Sequence, residues 1–463
     1  MRSAETGNML FSRKIILPRS RTKKTRRETE RIFFLVKLRA ALWKNFFRFQ
    51  IIDRIVAAVP VLLQNRRAVQ STQEQIRMNK LIALSLLAAL LVSFSDDNPQ
   101  PRGFSIPLLD LAAETGRQVI VDREPGQYLG HPTTARLEDK RTIIIVYPKG
   151  HGRGAIVMKR STDGGRTWSA RLPTPQSWET SLETPTIHRV IDRRGKKRLI
   201  VFSGLYPIRL SVSEDDGSTW SELRPIGGDN PFGGIVAMGS VERLKNGDYV
   251  ALFHDDGRFL RRDGKRTSQM TLYQTFSKDG GLRWSQPQEI FSSDQIHLCE
   301  PGLIRSPDGK QLAMLLRENR RVRNSYVMFS NDEAKTWSAP RELPGALTGD
   351  RHTGKYAPDG RLFISFRDMA HETPTRGDWV GWVGAYDDIA QGREGQYRVR
   401  LMDNHKNSQG WEADCAYPGV EILPNGALVT TTYGHWIAGE QPFIVSIRFT
   451  LKELDAKARQ SRK

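Results

Sequence analysis

Cysteine is almost missing from this chain: 463 residues contain two, Cys299 and Cys415. That excludes a disulfide-stapled scaffold and a multi-cysteine metal site. Histidine is scarce as well, nine in all, and none falls at a metal-ligand spacing, so no metal is expected. Long apolar runs are lacking. The stretch Leu81 to Val92 is twelve residues, interrupted only by Ser85, whereas a bilayer-spanning helix needs about 20. No stable membrane span is expected. Phosphate-cradling glycine loops and dinucleotide fingerprints are absent too, and no cofactor is expected. Acidic residues are the minority, 51 against 71 Lys and Arg, for a net charge of +20. Hydrophobic residues make up 38%, enough for a sizeable core and too many for a wholly disordered chain.

The positive charge is unevenly placed. Residues 1–77 hold 18 Lys and Arg against five Asp and Glu, including the run Arg19, Arg21, Lys23, Lys24, Arg26 and Arg27. Such a run suits nucleic acid or an anionic membrane. Equally, it suits a disordered tail or a reading frame extended upstream of the true start. The second reading is preferred because of the residues immediately downstream. Met78-Asn79-Lys80 supplies a start and a basic residue, Leu81–Val92 an apolar segment, and Ser93-Phe94-Ser95 small residues at the cleavage positions. That order is the layout of a secretory signal peptide. The chain is therefore expected to start at Met78 and to be exported, periplasmic or extracellular, from about Asp96. The extension then carries most of the basic excess, and no nucleic-acid partner is expected. Residues 96–119 are read as a linker.

An internal repeat occupies the remainder. The pattern S-x-D-x-G-x-T-W occurs at Ser161–Trp168, Ser213–Trp220, Ser277–Trp284 and Ser330–Trp337, with Arg283 replacing Thr in the third copy and Ala334 replacing Gly in the fourth. In such a turn the Asp accepts backbone amide bonds, Gly supplies a positive φ, and Trp anchors the hairpin on an apolar surface. The motif is thus a folding element. Turn glycines recur at Gly195, Gly247, Gly309, Gly360 and Gly426, with Asp139-Lys140 in the equivalent place of the first unit. Each turn precedes a short apolar strand: 142–147, 199–203, 249–254, 311–316, 362–366 and 427–432. Six strand–turn–strand units of this kind fill residues 120–450. Short four-stranded units cannot bury their own faces, but arranged radially they close and lose most of their edges. The expectation is an all-β, six-bladed β-propeller of four-stranded antiparallel blades. Residues 451–463 read as a basic, solvated tail.

Polar residues gather where the inner strands begin and their hairpin partners end, which reads as a binding site. The first unit offers His131, Lys149, His151 and Arg153; the second Glu183, Tyr206 and Arg209; the third His254, Asp255, Asp256 and Arg258. The fourth offers His297, Glu300, Arg317, Glu318 and Asn319; the fifth Asp350, Arg351, His352, Arg367 and Asp368. The sixth offers Asp414, Tyr417, Tyr433, His435 and Trp436. Cys299 and Cys415 lie beside this set on blades too far apart for a disulfide, so both are expected to be free thiols.

The four S-x-D-x-G-x-T-W boxes in a six-fold strand repeat resemble the sialidase (neuraminidase) superfamily, also called BNR or Asp-box proteins, over roughly residues 120–450. The resemblance implies an exo-glycosidase acting on a terminal anionic sugar of a glycan or glycoconjugate, sialic acid first. In that family a tyrosine, activated by a glutamate base, replaces the usual carboxylate nucleophile. Glu300-Pro-Gly-Leu-Ile-Arg and Ala416-Tyr417-Pro-Gly-Val are similar to the segments that carry those groups. The resemblance therefore implies Glu300 as base, Tyr417 as nucleophile and Arg317 as a carboxylate-binding arginine, with Arg351 or Arg367 as the second. Arginine suits this role because its fork binds a carboxylate with two bonds.

Two departures accompany these matches. Where sialidases open blade one with Arg-Ile-Pro, this chain has Gly130-His131-Pro132. Where they place an acid/base aspartate, it has the loop Lys149-Gly150-His151-Gly152-Arg153-Gly154. His151, or Asp255 or Asp256 from blade three, is expected to take the acid role. His131, Arg153 and His435 complete the set expected to touch substrate. A related glycosidase or lyase acting on uronic-acid-type sugars through these histidines is the second reading, and a non-catalytic carbohydrate-binding propeller the third.

Overall fold

The computed structural model describes residues 100–460 apart from 262–263, 408 and 412. The basic extension and the export segment lie outside the described residues. Strands follow in chain order. β1 (Leu108–Asp110) and β2 (Gln118–Asp122) come first. β3 (Thr133–Arg136), β4 (Ile143–Pro148) and β5 (Ile156–Ser161) form blade one. β6 (Thr186–Ile191), β7 (Lys197–Ser203), β8 (Arg209–Ser213) and β9 (Arg224–Pro225) form blade two. Blade three is β10 (Ile235–Arg243), β11 (Tyr249–Asp255), β12 (Thr271–Ser277) and β13 (Gln288–Ser292). Blade four is β14 (Leu298–Arg305), β15 (Leu312–Glu318), β16 (Tyr326–Ser330) and β17 (Arg341–Glu342). Blade five has β18 (Gly349–Tyr356), β19 (Leu362–Asp368), β20 (Trp379–Gly384), the short helix α1 (Tyr386–Gln391) and β21 (Tyr397–Met402). Blade six has β22 (Gly419–Ile422), β23 (Ala427–Gly434) and β24 (Phe443–Thr450), followed by helix α2 (Leu451–Gln460).

The strands form six sheets, antiparallel throughout except where β1 lies parallel to β21. The innermost strands β3, β6, β10, β14, β18 and β22 adjoin one another in a closed ring. This is the expected six-bladed propeller. Three strands are assigned in blade one, and residues 169 and 172 continue it as an irregular fourth, donating to the carbonyls of Arg160 and Met158.

The second strand of every blade is a near-continuous apolar run for a physical reason. It lies inside its sheet and faces a neighbouring blade on both sides, so neither face needs polar residues. All residues of β4, β11, β19 and β23 are buried. The core is accordingly six layers between blades. Ile304, Ala313 and Leu315 of blade four meet Ile364, Phe366 and Trp382 of blade five, for example. Each fully buried side chain of this size contributes about 1.5–3 kcal/mol.

The Asp boxes tie the blades together. In the first, Asp163 Oδ1 accepts from the amides of Arg166 and Thr167 at 2.9 and 3.0 Å, and Ser161 Oγ accepts from Gly165 N at 2.7 Å. The third copy keeps the geometry because Arg283 Nε donates to Asp279 Oδ2 at 2.7 Å, replacing the threonine hydroxyl. The fourth keeps it because Ala334 adopts the glycine φ, at 63°.

Two expectations are corrected at the ends. Of the segment read as a linker, residues 100–119 are more than that: β1 extends the outer edge of blade five, and β2, which begins at Gln118, supplies the outermost strand of blade six beside β24, closing the ring. Residues 451–460 are no solvated tail. They form α2, whose Leu451, Leu454 and Ala458 are buried against blades five and six. Among the described residues no helix is long and apolar enough to cross a membrane.

Candidate functional site

The mouth is built by backbone kinks at the starts of inner strands. Register shifts interrupt β10, β14 and β18 between Ile235 and Ser240, Cys299 and Gly302, and Asp350 and Thr353. Non-glycine residues with positive φ sit there and at the matching places of blades one and six: His131 at 50°, Val236 at 47°, Glu300 at 53°, Arg351 at 56° and Ala416 at 56°. Bulges re-aim side chains, and strain of this kind concentrates at functional sites. Gly302 permits the kink beside Glu300, since a Cβ there would lie 2.3 Å from the His352 carbonyl oxygen.

Glu300 and Tyr417, far apart in sequence, come together, and the Tyr417 hydroxyl donates to Glu300 Oε1. Arg317 Nη1 donates to the same oxygen at 2.6 Å and lies 3.4 Å from the Tyr417 hydroxyl. The Arg367 guanidinium lies 5.5 Å from the centre of the Tyr417 ring. Burial pushes the Tyr417 phenol well above its usual range, and the adjacent Glu300 adds to this. Burial acts to raise Glu300, but Arg317, the Tyr417 hydroxyl and Arg367 together outweigh it and the carboxyl ends below its ordinary value. The resting pair is thus a protonated phenol against a carboxylate able to take its proton. Glu300 Oε2 and His131 Nδ1 are buried without a hydrogen-bond partner among the described residues.

The arginines are organised by a carboxylate that the sequence placed at the mouth without a role. Asp350 is fully buried. Its oxygens accept from Arg367 Nε at 2.9 Å and from Arg321 Nη1 and Nη2 at 2.5 and 2.7 Å, and Arg317 Nε lies 3.5 Å away. Burial would raise the Asp350 carboxyl, but these guanidiniums hold it far below the usual range. Arg321 is absent from the residues singled out by sequence. Spacing alone could not choose between Arg351 and Arg367; their partners separate them. Arg367 is committed to Asp350 and to the carbonyls of Ala413 and Cys415. Among the described residues Arg351 makes one side-chain bond, to the Gly239 carbonyl at 2.7 Å, which leaves most of its fork unengaged there.

A second cluster adjoins the first. The His131 ring is 4.6 Å from Tyr417 and 4.7 Å from His151, and its Nε2 lies 3.1 Å from the Tyr433 hydroxyl. Burial depresses His131 well below the usual imidazole value, so it is neutral. Asp414 joins the group. It accepts from the Tyr128 hydroxyl at 2.7 Å and from Tyr433 at 3.3 Å, and lies 3.2 Å from His435 Nε2 and 3.5 Å from His151 Nδ1. Tyr128 was not singled out by sequence; the available signal was an aromatic three residues before His131.

Other expected site residues stand apart. Asp255 is buried, and its carboxylate accepts from the amides of Gly257, Phe259 and Leu260 in its own loop. That makes it a loop brace, and the acid role expected for it is withdrawn. Asp256 pairs with exposed Arg258. Arg153 is exposed and makes no hydrogen bond or ion pair among the described residues. Glu183 is buried and accepts from Ala237 N at 3.3 Å. Cys299 and Cys415 are buried free thiols. Below the mouth, the inner strands enclose a channel cavity of about 310 Å³ that Arg351 and Lys355 line.

Known proteins share this architecture. Residues 113–295 match the BNR repeat-like domain family. No curated protein matches the chain. A protein of unknown function from Dyadobacter fermentans is similar in structure, with a TM-score of 0.56 and 14% identity over 72% of this chain and 97% of its own. A variant of the NanB sialidase from Streptococcus pneumoniae gives 0.50 at 12% identity over 73% and 71%. The intramolecular trans-sialidase from Ruminococcus gnavus, solved with oseltamivir carboxylate, gives 0.50 at 13% over 71% and 95%. At these identities the likeness speaks for the fold alone. Repeated Asp boxes, six radial blades and the match of residues 113–295 to the BNR repeat-like domain family together make this chain a six-bladed β-propeller with BNR-like repeats, similar in fold to the sialidases.

Proposed function

We propose that the protein is a glycosidase that removes a terminal anionic sugar, sialic acid first, from a glycan or glycoconjugate. The observation that carries this reading is the buried Tyr417–Glu300 contact with Arg317 on the same carboxylate oxygen. A tyrosine suits a sugar whose anomeric carbon bears a carboxylate, because a carboxylate nucleophile would be repelled. Tyr417 Oη attacks that carbon while Glu300 takes the phenolic proton. The bond to the leaving oxygen breaks, and His151, charged, gives that oxygen the proton on its Nε2. Water then displaces the sugar from Tyr417, His151 takes the water's proton, and Glu300 returns its proton to the phenol. Arg351, with its fork largely unengaged, receives the substrate carboxylate together with Arg317.

A uronic-acid-type sugar is the second reading, favoured by the neutral His131 beside Tyr417. Purified protein starting near Asp96, assayed for release of sialic acid and of uronic acids, decides between them. Tyr417→Phe should cost at least about 1,000-fold in kcat/KM on the true substrate. Undiminished release by that variant would overturn the mechanism, and glycan binding without any turnover would overturn both enzyme readings. We infer export through residues 78–95 from the sequence layout. N-terminal sequencing of the native protein should find a start near Asp96, and a product starting near Met1 would contradict it.

A further inference from the structure

Asp414 is a buried carboxylate at the mouth to which the proposed reaction gives no part. It is 4% exposed and meets four side chains from three parts of the chain. Tyr128 comes from the segment before blade one, His151 from the blade-one loop, and Tyr433 and His435 from the end of β23. These contacts cross the seam where blade six meets blade one. They also come from a residue three positions before Tyr417, so one short segment holds both groups. That segment is fixed: Ala416 N donates to the Tyr433 carbonyl, Cys415 Sγ to the Gly377 carbonyl at 3.0 Å, and Arg367 to the carbonyls of Ala413 and Cys415.

We propose that Asp414 is the positioning carboxylate for His151, acting directly and through the Tyr128 hydroxyl to fix which imidazole nitrogen faces the leaving group. The inference rests on the glycosidase reading above. His151 Nδ1 is 2.8 Å from the Tyr128 hydroxyl, which itself donates to Asp414 Oδ1 at 2.7 Å. With Tyr128 donating to Asp414, its oxygen must accept, so Nδ1 of His151 carries the hydrogen. Nε2 is then the nitrogen that gives up and regains a proton, and it makes no hydrogen bond among the described residues. A buried carboxylate that holds an imidazole in one tautomer and supports its charged form is worth a large factor in other imidazole-dependent hydrolases. Asp414 stays ionised in this role. Burial would raise it, but the bonds from His151, His435 and Tyr128 keep it far below the usual carboxylate range. His435, whose Nδ1 meets the Glu440 carbonyl at 2.9 Å, holds the other oxygen of Asp414 in place.

The test is leaving-group dependence. Protonation matters greatly for a sugar-alcohol leaving group and little for an acidic phenol. Wild type, Asp414→Asn, Tyr128→Phe, His151→Ala and the Asp414→Asn/His151→Ala double variant are compared on a natural glycoside and on a nitrophenyl glycoside of the same sugar. Asp414→Asn should lose at least about 30-fold in kcat/KM, which reports the leaving-group step, on the natural glycoside and less than about 3-fold on the nitrophenyl one. Tyr128→Phe, which removes a single hydroxyl and guards against misfolding, should show the same selectivity more weakly. The double variant should be no slower than His151→Ala. Equal losses on both substrates, or additive losses in the double variant, would overturn the inference while the activity of wild type and the inactivity of Tyr417→Phe left the glycosidase reading standing. A wild type inactive on every glycoside would overturn that reading and this inference with it.

Discussion

A single buried carboxylate can set the geometry of several cations, and Asp350 does so here. Arg317, Arg321 and Arg367 converge on it. Removing one partner from a buried ionic cluster leaves charges unpaired at a cost of about 3–5 kcal/mol. Asp350→Asn should therefore lower the unfolding free energy by about that much in urea titrations, with sugar affinity falling as the forks lose alignment. Glu183 offers a residue whose effect has a definite sign with pH. Burial lifts its carboxyl to about 7. As pH rises from the ordinary carboxylate range, the unfolded chain releases this proton first, so stability is lost up to about pH 7. Glu183→Gln stays neutral throughout. Its melting temperature should gain on wild type between about pH 5 and pH 8, and a difference independent of pH would refute the buried neutral carboxyl. Some residue-scale facts were legible in the sequence. Glu300 and Tyr417 could be singled out because Glu300-Pro-Gly-Leu-Ile-Arg and Ala416-Tyr417-Pro-Gly-Val resemble segments of the sialidase family, His151 because its loop lacks the carboxylate that the resemblance leads one to expect. The roles of Asp350 and Asp414 were not legible, because a carboxylate's partners come from other blades and no local spacing reports them.

At the scale of elements, hairpins follow from local chemistry and their variations test it. Asp163 caps two backbone amides of its turn and accepts the Thr167 hydroxyl at 2.7 Å. Asp163→Ala should destabilise by about 1–3 kcal/mol, whereas Arg283→Thr should leave the melting temperature nearly unchanged because either side chain reaches Asp279. Both are read by thermal unfolding. Helix α2 was misjudged from its charge. Leu451, Leu454 and Ala458 lie at helical spacing on one face, and Leu454 is fully buried. Leu454→Ala should cost about 2–5 kcal/mol, a loss no solvated tail would show. The strands themselves were legible, since a run buried on both faces has one composition and a turn glycine marks its start. The inner-strand kinks were not, because residues such as Glu300 and Arg351 take a positive φ that their type disfavours.

The blades of the described residues form a ring, and a ring needs a closure. β2 pairs with β24 at Gln118–Ile447 and onward to Asp122–Ile444, so the start of the described chain completes its last blade. A chain starting after residue 124 would expose the β24 edge. Compared with one starting at residue 100, it should melt lower and scatter more light on heating. Closure also explains the site. The Asp414 cluster spans blades six and one, and the Tyr417–Glu300 contact joins blades six and four across the mouth. Composition and periodicity by themselves determined the repeat, the six blades and the polar ends of their strands, because these follow from burial and turn chemistry that act within a few residues. Which arginine keeps an unengaged fork, which aspartate braces a loop and which faces a histidine were decided by tertiary structure alone. Those distinctions are distances between blades, and only closing the ring sets them.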